Sequence, residues 1–164
     1  MSLAQRRAKA ADDYQVVIAA PGFCLGVQCD EQEIHSIRFL PPSAEVVAGN
    51  ALAAEAARQI RAYLADSGHV FGLPLRPAGT LFQRRVWQQI SAIPAGRTRS
   101  YGELADELHS APRAVGQACG ANPYPLVVPC HRVLARGGRL GGFAHHHQGF
   151  PLDVKRWLLA HEAG

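Results

Sequence analysis

Cys130 and His131 stand side by side in Pro129-Cys130-His131-Arg132-Val133, and a thiol next to an imidazole is a pair with chemistry in it. Sulfur reacts as the thiolate, and a neighbouring imidazole can take or share its proton. Adjacency does not by itself make a contact. Consecutive residues of an extended segment point to opposite faces, so a water is expected to connect Sγ to the ring. The competing reading of a single Cys behind an apolar run is an inert buried thiol.

Something must hold that pair in place. Leu126-Val127-Val128 reads as a buried strand that Pro129, with no N–H for a ladder, should end, leaving Cys130 just past it. Upstream, Thr80-x-x-Gln83 is a capping-box pattern, and Phe82, Val86, Trp87 and Ile90 form an apolar helical face that Pro94-Ala95-Gly96 terminates. Ser100-Tyr101-Gly102-Glu103 is a second capping box, opening a helix through Leu108. His109-Ser110-Ala111-Pro112 then turns the chain into a third helix, to Ala121. Two short helices with a tight turn read as a helix-turn-helix, a pattern that also occurs in proteins that never touch DNA. From Arg113 to Ala121 the side chains are mostly small, which suits close helix packing or, with Arg113 at the leading end, insertion into a minor groove.

The rest of the chain sets bounds. With 164 residues it can bury a real core, as one domain or two small ones. The net charge is +4, but residues 1–79 hold 7 Lys/Arg against 8 Asp/Glu, and residues 80–164 hold 10 against 5. The half with the cysteine motif is the basic one, which fits a polyanionic partner as well as an ordinary solvated face. Tyr14 to Ala20, Leu25 to Cys29 and Ile34 to Phe39 read as an antiparallel meander between turn residues. Asn50 should cap a helix in which Leu52, Ala56, Ile60 and Leu64 recur at helical spacing before Gly68 stops it. Gly72 to Gly79 reads as a linker, dividing the chain into domains 1–76 and 77–164. Cysteines 24, 29, 119 and 130 have neither metal nor disulfide spacing, so reduced thiols and a cytoplasmic setting are expected. Cys24, Cys29, His35 and His69 fit no tetrahedral zinc pattern, and no metal is expected. The N-terminus lacks the apolar core of a signal peptide, and no run is long enough to span a bilayer.

Pro129 to Val133 preceded by Asn122-Pro123 and by Arg113-Ala114-Val115-Gly116 resembles the active-site signature of the O6-alkylguanine-DNA alkyltransferases, the methylated-DNA–protein-cysteine methyltransferases. Further matches follow in the same order: Phe82 to Trp87, Ile93 to Thr98, Ser100 to Leu104 and Lys155 to Glu162. The resemblance is close from Thr80 to Glu162 and loose before it. It implies an α+β architecture: a small ribonuclease-H-like sheet and helix, then a mostly helical DNA-binding and catalytic domain with a helix-turn-helix. It implies direct DNA repair, in which O6-alkylguanine, with O4-alkylthymine a further candidate, is flipped out of duplex DNA. Its alkyl group then passes irreversibly to Cys130, without a cofactor.

The resemblance also assigns roles. His131 would share the Cys130 proton through water and be oriented by Glu162. Asn122 would fix the Cys130 loop, and Tyr101 would donate its hydroxyl to the leaving base and crowd the backbone phosphate. Val133 and Cys130 would hold the base through main-chain groups, Phe143 would wall the pocket, and the Ala144 N–H would bind O6. Arg113 would fill the space left by the flipped base, with Ala114, Gly116 and Gln117 along the same minor-groove face. Double-stranded DNA is thus the expected partner, no membrane is involved, and a monomer is expected.

Two features depart from the family: a shorter turn before Arg113, and extra residues including His145, His146 and His147 between Gly142 and the last helix. Three successive side chains rarely converge on one metal, so that segment reads as a solvated loop beside the pocket. Cys119 is expected near the DNA face, unable to reclaim an alkyl group from a thioether. Two other classes compete with alkyl transfer. One is a lesion-recognition module, although those relatives replace the nucleophile; the other is a thiol hydrolase, which would turn over repeatedly. The lack of an appended methylphosphotriester-sensing segment suggests a stand-alone repair protein.

Overall fold

Pro21-Gly22 and Asp30-Glu31 cut the first β-rich stretch into three strands, β1 (Val16–Ala20), β2 (Phe23–Cys29) and β3 (Ile34–Leu40). The computed structural model describes residues 13–142 and 149–164. Its chain divides into two compact units, Met1–Arg76 and Pro77–Gly164. The strands form an antiparallel sheet in the order β1-β2-β3. Gly22, at φ 84°, makes the first turn at no steric cost, and the Asp30 carboxylate accepts the Gln32 and Glu33 N–H groups in the second.

Helix α1 (Ala51–Ala65) starts where expected, with Asn50 Oδ1 accepting the Ala53 N–H at 2.8 Å. Its buried stripe keeps Ala56 and Ile60 of the expectation but not Leu52 and Leu64. Ala53, Ala56, Ala57, Ile60 and Tyr63 face inward, and Leu52 and Leu64 are only half-buried. Small alanines let α1 lie close to the sheet, and Tyr63 fills the end of the gap. The expected linker is also less free than it reads: Ile34 donates to the Pro74 carbonyl and Arg76 to the Ile34 carbonyl, at 2.7 and 2.8 Å, tying its first part to β3.

The second unit is built from α2 (Leu81–Ser91), β4 (Arg99–Ser100), α3 (Tyr101–Glu107), α4 (Pro112–Gly120), β5 (Val133–Leu134) and α5 (Phe150–Ala163). The Thr80 capping box is present in both directions, and Ser100 Oγ accepts the Glu103 N–H at 3.0 Å. Val86, Ile90, Leu104, Val115, Val133 and Leu158 make the core. The Trp87 indole donates to the Ala118 carbonyl at 2.9 Å, which locks α2 onto α4. Helices α3 and α4 meet through a turn in which His109 takes φ 51°. Strand β5 pairs in parallel with β4, setting Val133 against Arg99.

One expectation fails at the segment that matters most. Leu126, Val127 and Val128 do not form a strand: they lie in a turn, with Leu126 at φ 77°. Burial was read correctly, since Leu126 and Val128 are inside. The backbone, however, satisfies itself locally, the Val128 N–H bonding the Tyr124 carbonyl and the Cys130 N–H the Val128 carbonyl, both at 2.8 Å. Pro129 at φ −81°, ψ 65° has inverse γ-turn geometry.

Candidate active site

That turn delivers Cys130 into a single 3-10 turn, Cys130–Arg132, which closes with the Val133 N–H on the Cys130 carbonyl. Cys130 and His131 are therefore not on an extended segment, and the opposite-face expectation does not apply to them. Asn122, just past α4, holds the approach. Its Oδ1 accepts the Tyr124 N–H at 2.9 Å, and its Nδ2 donates to the Val128 carbonyl at 2.9 Å and to Cys130 Sγ at 3.2 Å. One amide thus fixes both the loop and the sulfur.

His131 has no exposed surface. Its Nε2 lies 2.7 Å from Glu162 Oε2, and a carboxylate only accepts, so Nε2 carries the proton and Nδ1 presents a lone pair. That Nδ1 is buried and has no hydrogen-bond partner within the protein. Burial lowers the His131 pKa against the pull of Glu162, so the ring rests neutral. Glu162, near the end of α5, also receives Arg132 through Nε at 2.8 Å and Nη2 at 3.0 Å, while Arg132 Nη1 caps the Ile93 carbonyl at 2.6 Å. The carboxylate is thereby kept charged inside the protein by a two-pronged guanidinium. Sequence reasoning assigned Arg132 no role, although it sits in the motif.

The Cys130 thiol is buried and its pKa is well above the ordinary value. The influence of Cys119 contributes most and burial next, against the Asn122 hydrogen bond and the charge of Lys155. At rest Cys130 is a thiol that needs a base. Cys119 is likewise buried, on the inner side of α4 rather than on an outer face.

Lys155 is the second residue that the sequence reading missed. It is fully buried, and Nζ donates to the carbonyls of Val133, Leu140 and Gly142 at 2.8, 2.5 and 3.2 Å. Three carbonyl partners satisfy its three donors, and burial lowers its pKa to about 8. A signal existed: Leu152, Lys155, Leu158 and Glu162 share the inward stripe of α5.

Tyr101 opens α3 and donates its hydroxyl to the Gly142 carbonyl at 3.2 Å, and burial raises its pKa, so it stays a donor. Gly141, at φ 67°, passes beneath it, where a Cβ would come within 3.2 Å of the ring. The Val133 carbonyl, expected to hold a base, accepts from Lys155. Tyr101, Ser100, Arg113, Ala135 and Arg136 line a cleft of about 660 Å³. On α4, Arg113 and Gln117 are exposed and Ala114 and Gly116 half-exposed, while Val115, Ala118 and Cys119 face the core. A Cβ on Gly116 would meet nothing within 4 Å. Phe143, Ala144 and the three histidines lie outside the described residues.

In the other unit, Cys24 is bonded to Ser43 and Cys29 to Asn50, so the four residues weighed for zinc do not converge. Among the described residues one group, Asp30, Glu33 and His35, has ligand-type atoms within 4.8 Å of one another. The Arg76 guanidinium already pairs with both of its carboxylates, at 3.8 and 3.3 Å.

Fold and site together define a class: an α+β protein in which a buried cysteine is next in sequence to an imidazole held by a carboxylate. The comparisons narrow it. Residues 81–164 match the family description "6-O-methylguanine DNA methyltransferase, DNA binding domain". A methylated-DNA–protein-cysteine methyltransferase of Methanosarcina mazei is 34% identical over 89% of this chain and 94% of its own length. One from Methanosarcina acetivorans is 45% identical over 64% of this chain, a match spanning 65% of that protein, just under two thirds. Among solved structures, Mycobacterium tuberculosis OGT in complex with DNA superposes with TM-score 0.73 at 35% identity, covering 90% of this chain and 91% of that one. This chain belongs to the O6-methylguanine DNA methyltransferase family.

Proposed function

We propose that the protein repairs DNA directly, by moving the alkyl group of O6-alkylguanine to Cys130 in a single, irreversible event. The observation that carries the mechanism is the orphaned Nδ1 of His131, a buried acceptor next in sequence to a protonated thiol. A water between them would pass the Cys130 proton to Nδ1, and Glu162 would hold the imidazolium that forms. The thiolate attacks the alkyl carbon; the S–C bond forms as the C–O6 bond breaks, and the electron pair leaves with guanine, which takes up a proton. Tyr101 would donate its hydroxyl to neutralise charge on the departing base, and the Ala144 N–H would bind O6. A thiol does not readily displace an alkyl group from a neutral thioether, so each molecule would act once.

The base must leave the stack to be reached, at a cost of a few kcal/mol that is least for a damaged, poorly paired base. In this reading α3 and α4 act as a helix-turn-helix in the minor groove. The small residues Ala114 and Gly116 permit close approach, Gln117 lies on the same face, and Arg113 replaces the flipped nucleotide beside the Tyr101 cleft. The first unit is a ribonuclease-H-like sheet and helix, and the second carries both DNA binding and chemistry. A monomer in the cytoplasm fits four free thiols.

Mass spectrometry after incubation with an O6-methylguanine duplex tests the proposal. One methyl group on the Cys130 peptide, saturating at one per protein and absent from Cys130→Ser, supports it. Lesion binding without modification would replace it with a recognition module, and repeated release of free alcohol with a hydrolase.

A further inference from the structure

The cleft beside Tyr101 holds a cation that no step of the chemistry uses. Arg136 heads a loop that closes on itself, the Ala135 N–H donating to the Arg139 carbonyl at 2.8 Å and the Gly138 N–H to the Ala135 carbonyl at 3.2 Å. Strand β5 anchors that loop, since Leu134 pairs with Ser100 of β4, the residue before Tyr101. Loop and α3 are thereby held close together: a Cβ on Gly141 would lie 3.2 Å from the Tyr101 ring and 3.3 Å from Ala135 Cβ. The start of α4 brings Arg113 to the same cleft, so two separate elements each supply a guanidinium.

Charge decides what this cleft can hold. Its lining includes two acids, Glu103 and Asp106. Glu103 is already met by Arg99, which lies 3.6 Å from it and 2.7 Å from Glu107. That leaves Arg113 and Arg136 against Asp106. Both guanidiniums are exposed, and among the described residues neither has a hydrogen bond or an ion pair. One surplus positive charge suits one singly charged phosphodiester, and a planar guanidinium can meet two phosphate oxygens at once. The loop leaves room for a strand to pass, because a Cβ on Gly137 or Gly138 would meet nothing within 4 Å.

Building on the repair function proposed above, we propose that Arg136 binds the backbone phosphate of the flipped nucleotide in the cleft beside Tyr101. Arg113 in that function enters the base stack, which leaves the phosphate to Arg136. As the nucleotide rotates out of the duplex its phosphate moves toward Tyr101, and the Arg136 guanidinium receives it there. A contact made only in the flipped state shifts the equilibrium toward that state, so Arg136 offsets part of the cost of unstacking.

The test measures binding of the full chain to an O6-methylguanine duplex at several salt concentrations, in a Cys130→Ser background that leaves the lesion unreacted. Adding Arg136→Ala should weaken binding about tenfold and make the slope of log affinity against log salt shallower by about 0.9. Arg136→Lys, which keeps the charge without the fork, should restore the slope and only part of the affinity. The contact is then located by replacing lesion-strand phosphates, one at a time, with neutral methylphosphonate. At the phosphate of the lesion nucleotide the Arg136 protein loses affinity, while Arg136→Ala changes by no more than about twofold. Arg139→Ala removes the same charge from the same loop outside the cleft and should show no such coupling. Unchanged affinity and slope in Arg136→Ala, losses that multiply at every substituted phosphate, or equal coupling in Arg139→Ala overturns the proposal. Where Cys130→Ser does not bind, the second-order rate of methyl transfer by the Cys130 protein carries the same comparisons. Absence of transfer by the Cys130 protein, with these binding effects present, counts against the repair function and not against the contact.

Discussion

Glu162→Gln tests whether the carboxylate works by charge or merely by filling space, because the amide keeps the shape. In the native site three donors converge on its two oxygens: His131 Nε2 at 2.7 Å, Arg132 Nε at 2.8 Å and Arg132 Nη2 at 3.0 Å. A glutamine has one oxygen and one NH2, so either orientation sets its NH2 against an Arg132 donor, and the one that turns NH2 toward the ring makes His131 change tautomer and accept at Nε2. That change puts the proton on Nδ1 and removes the lone pair that receives the thiol proton. Loss of a positioned base costs about 10²–10⁴ in rate. Separately, the Arg132 guanidinium, whose side chain is 11% exposed, loses its counter-ion, and breaking a buried pair from one side costs about 3–5 kcal/mol. Single-turnover transfer of labelled methyl from an O6-methylguanine duplex reads the first effect, and urea unfolding the second. Adding Arg132→Met to Glu162→Gln should recover most of the stability and none of the rate. If Glu162→Gln transfers within threefold of wild type, or the double variant recovers rate together with stability, Glu162 is a structural residue and the relay is wrong.

Asn122→Ala removes the acceptor for the Tyr124 N–H and the donors to Val128 and Cys130; a loss of about 2 kcal/mol and a transfer rate lowered at least tenfold are expected, read by the same two assays. In the proposed relay neutral His131 is the base, and burial holds its pKa below the ordinary value. The transfer rate should therefore climb at acid pH and be level above about pH 6.5, with no second rise near the usual thiol pKa; a rise there would mean that the thiolate forms without His131. The same depression means that the unfolded chain binds a proton which the folded one refuses, so this residue's contribution to stability falls as pH drops through about 6.5, as melts on either side of that pH will show. Gly116→Ala adds a methyl that meets nothing in the protein, so it should stabilise α4 by about 0.5–1 kcal/mol while weakening binding to duplex DNA. Unchanged affinity would remove α4 from the DNA interface.

What could be read in advance divides along a physical line. Helix starts were legible because capping is local: Asn50, Thr80 and Ser100 each bond a backbone N–H three residues on, and a short sequence window contains both partners. The meander was legible because turn residues bound it. The 126–128 segment was not, since hydrophobicity reports burial and says nothing of the backbone path between two buried points. Leu126 reaches the core at positive φ, through bonds made by Tyr124, Asn122 and Pro129. Lys155 escaped for a related reason. Its partners are main-chain carbonyls of Val133, Leu140 and Gly142, and every residue has a carbonyl, so no composition or spacing marks those that converge. Glu162, and its pairing with His131, entered the reading only through a resemblance. Their 31-residue separation is bridged by α5 folding back onto the 3-10 turn, a step that no local signal encodes. Arg132 follows from the same contact: once a carboxylate is buried against a neutral imidazole, its charge needs a cation, and the next residue of the motif supplies it. The tertiary approach of α5 therefore creates the relay and its counter-charge in one step, which is why Glu162→Gln should injure both and the double variant only one.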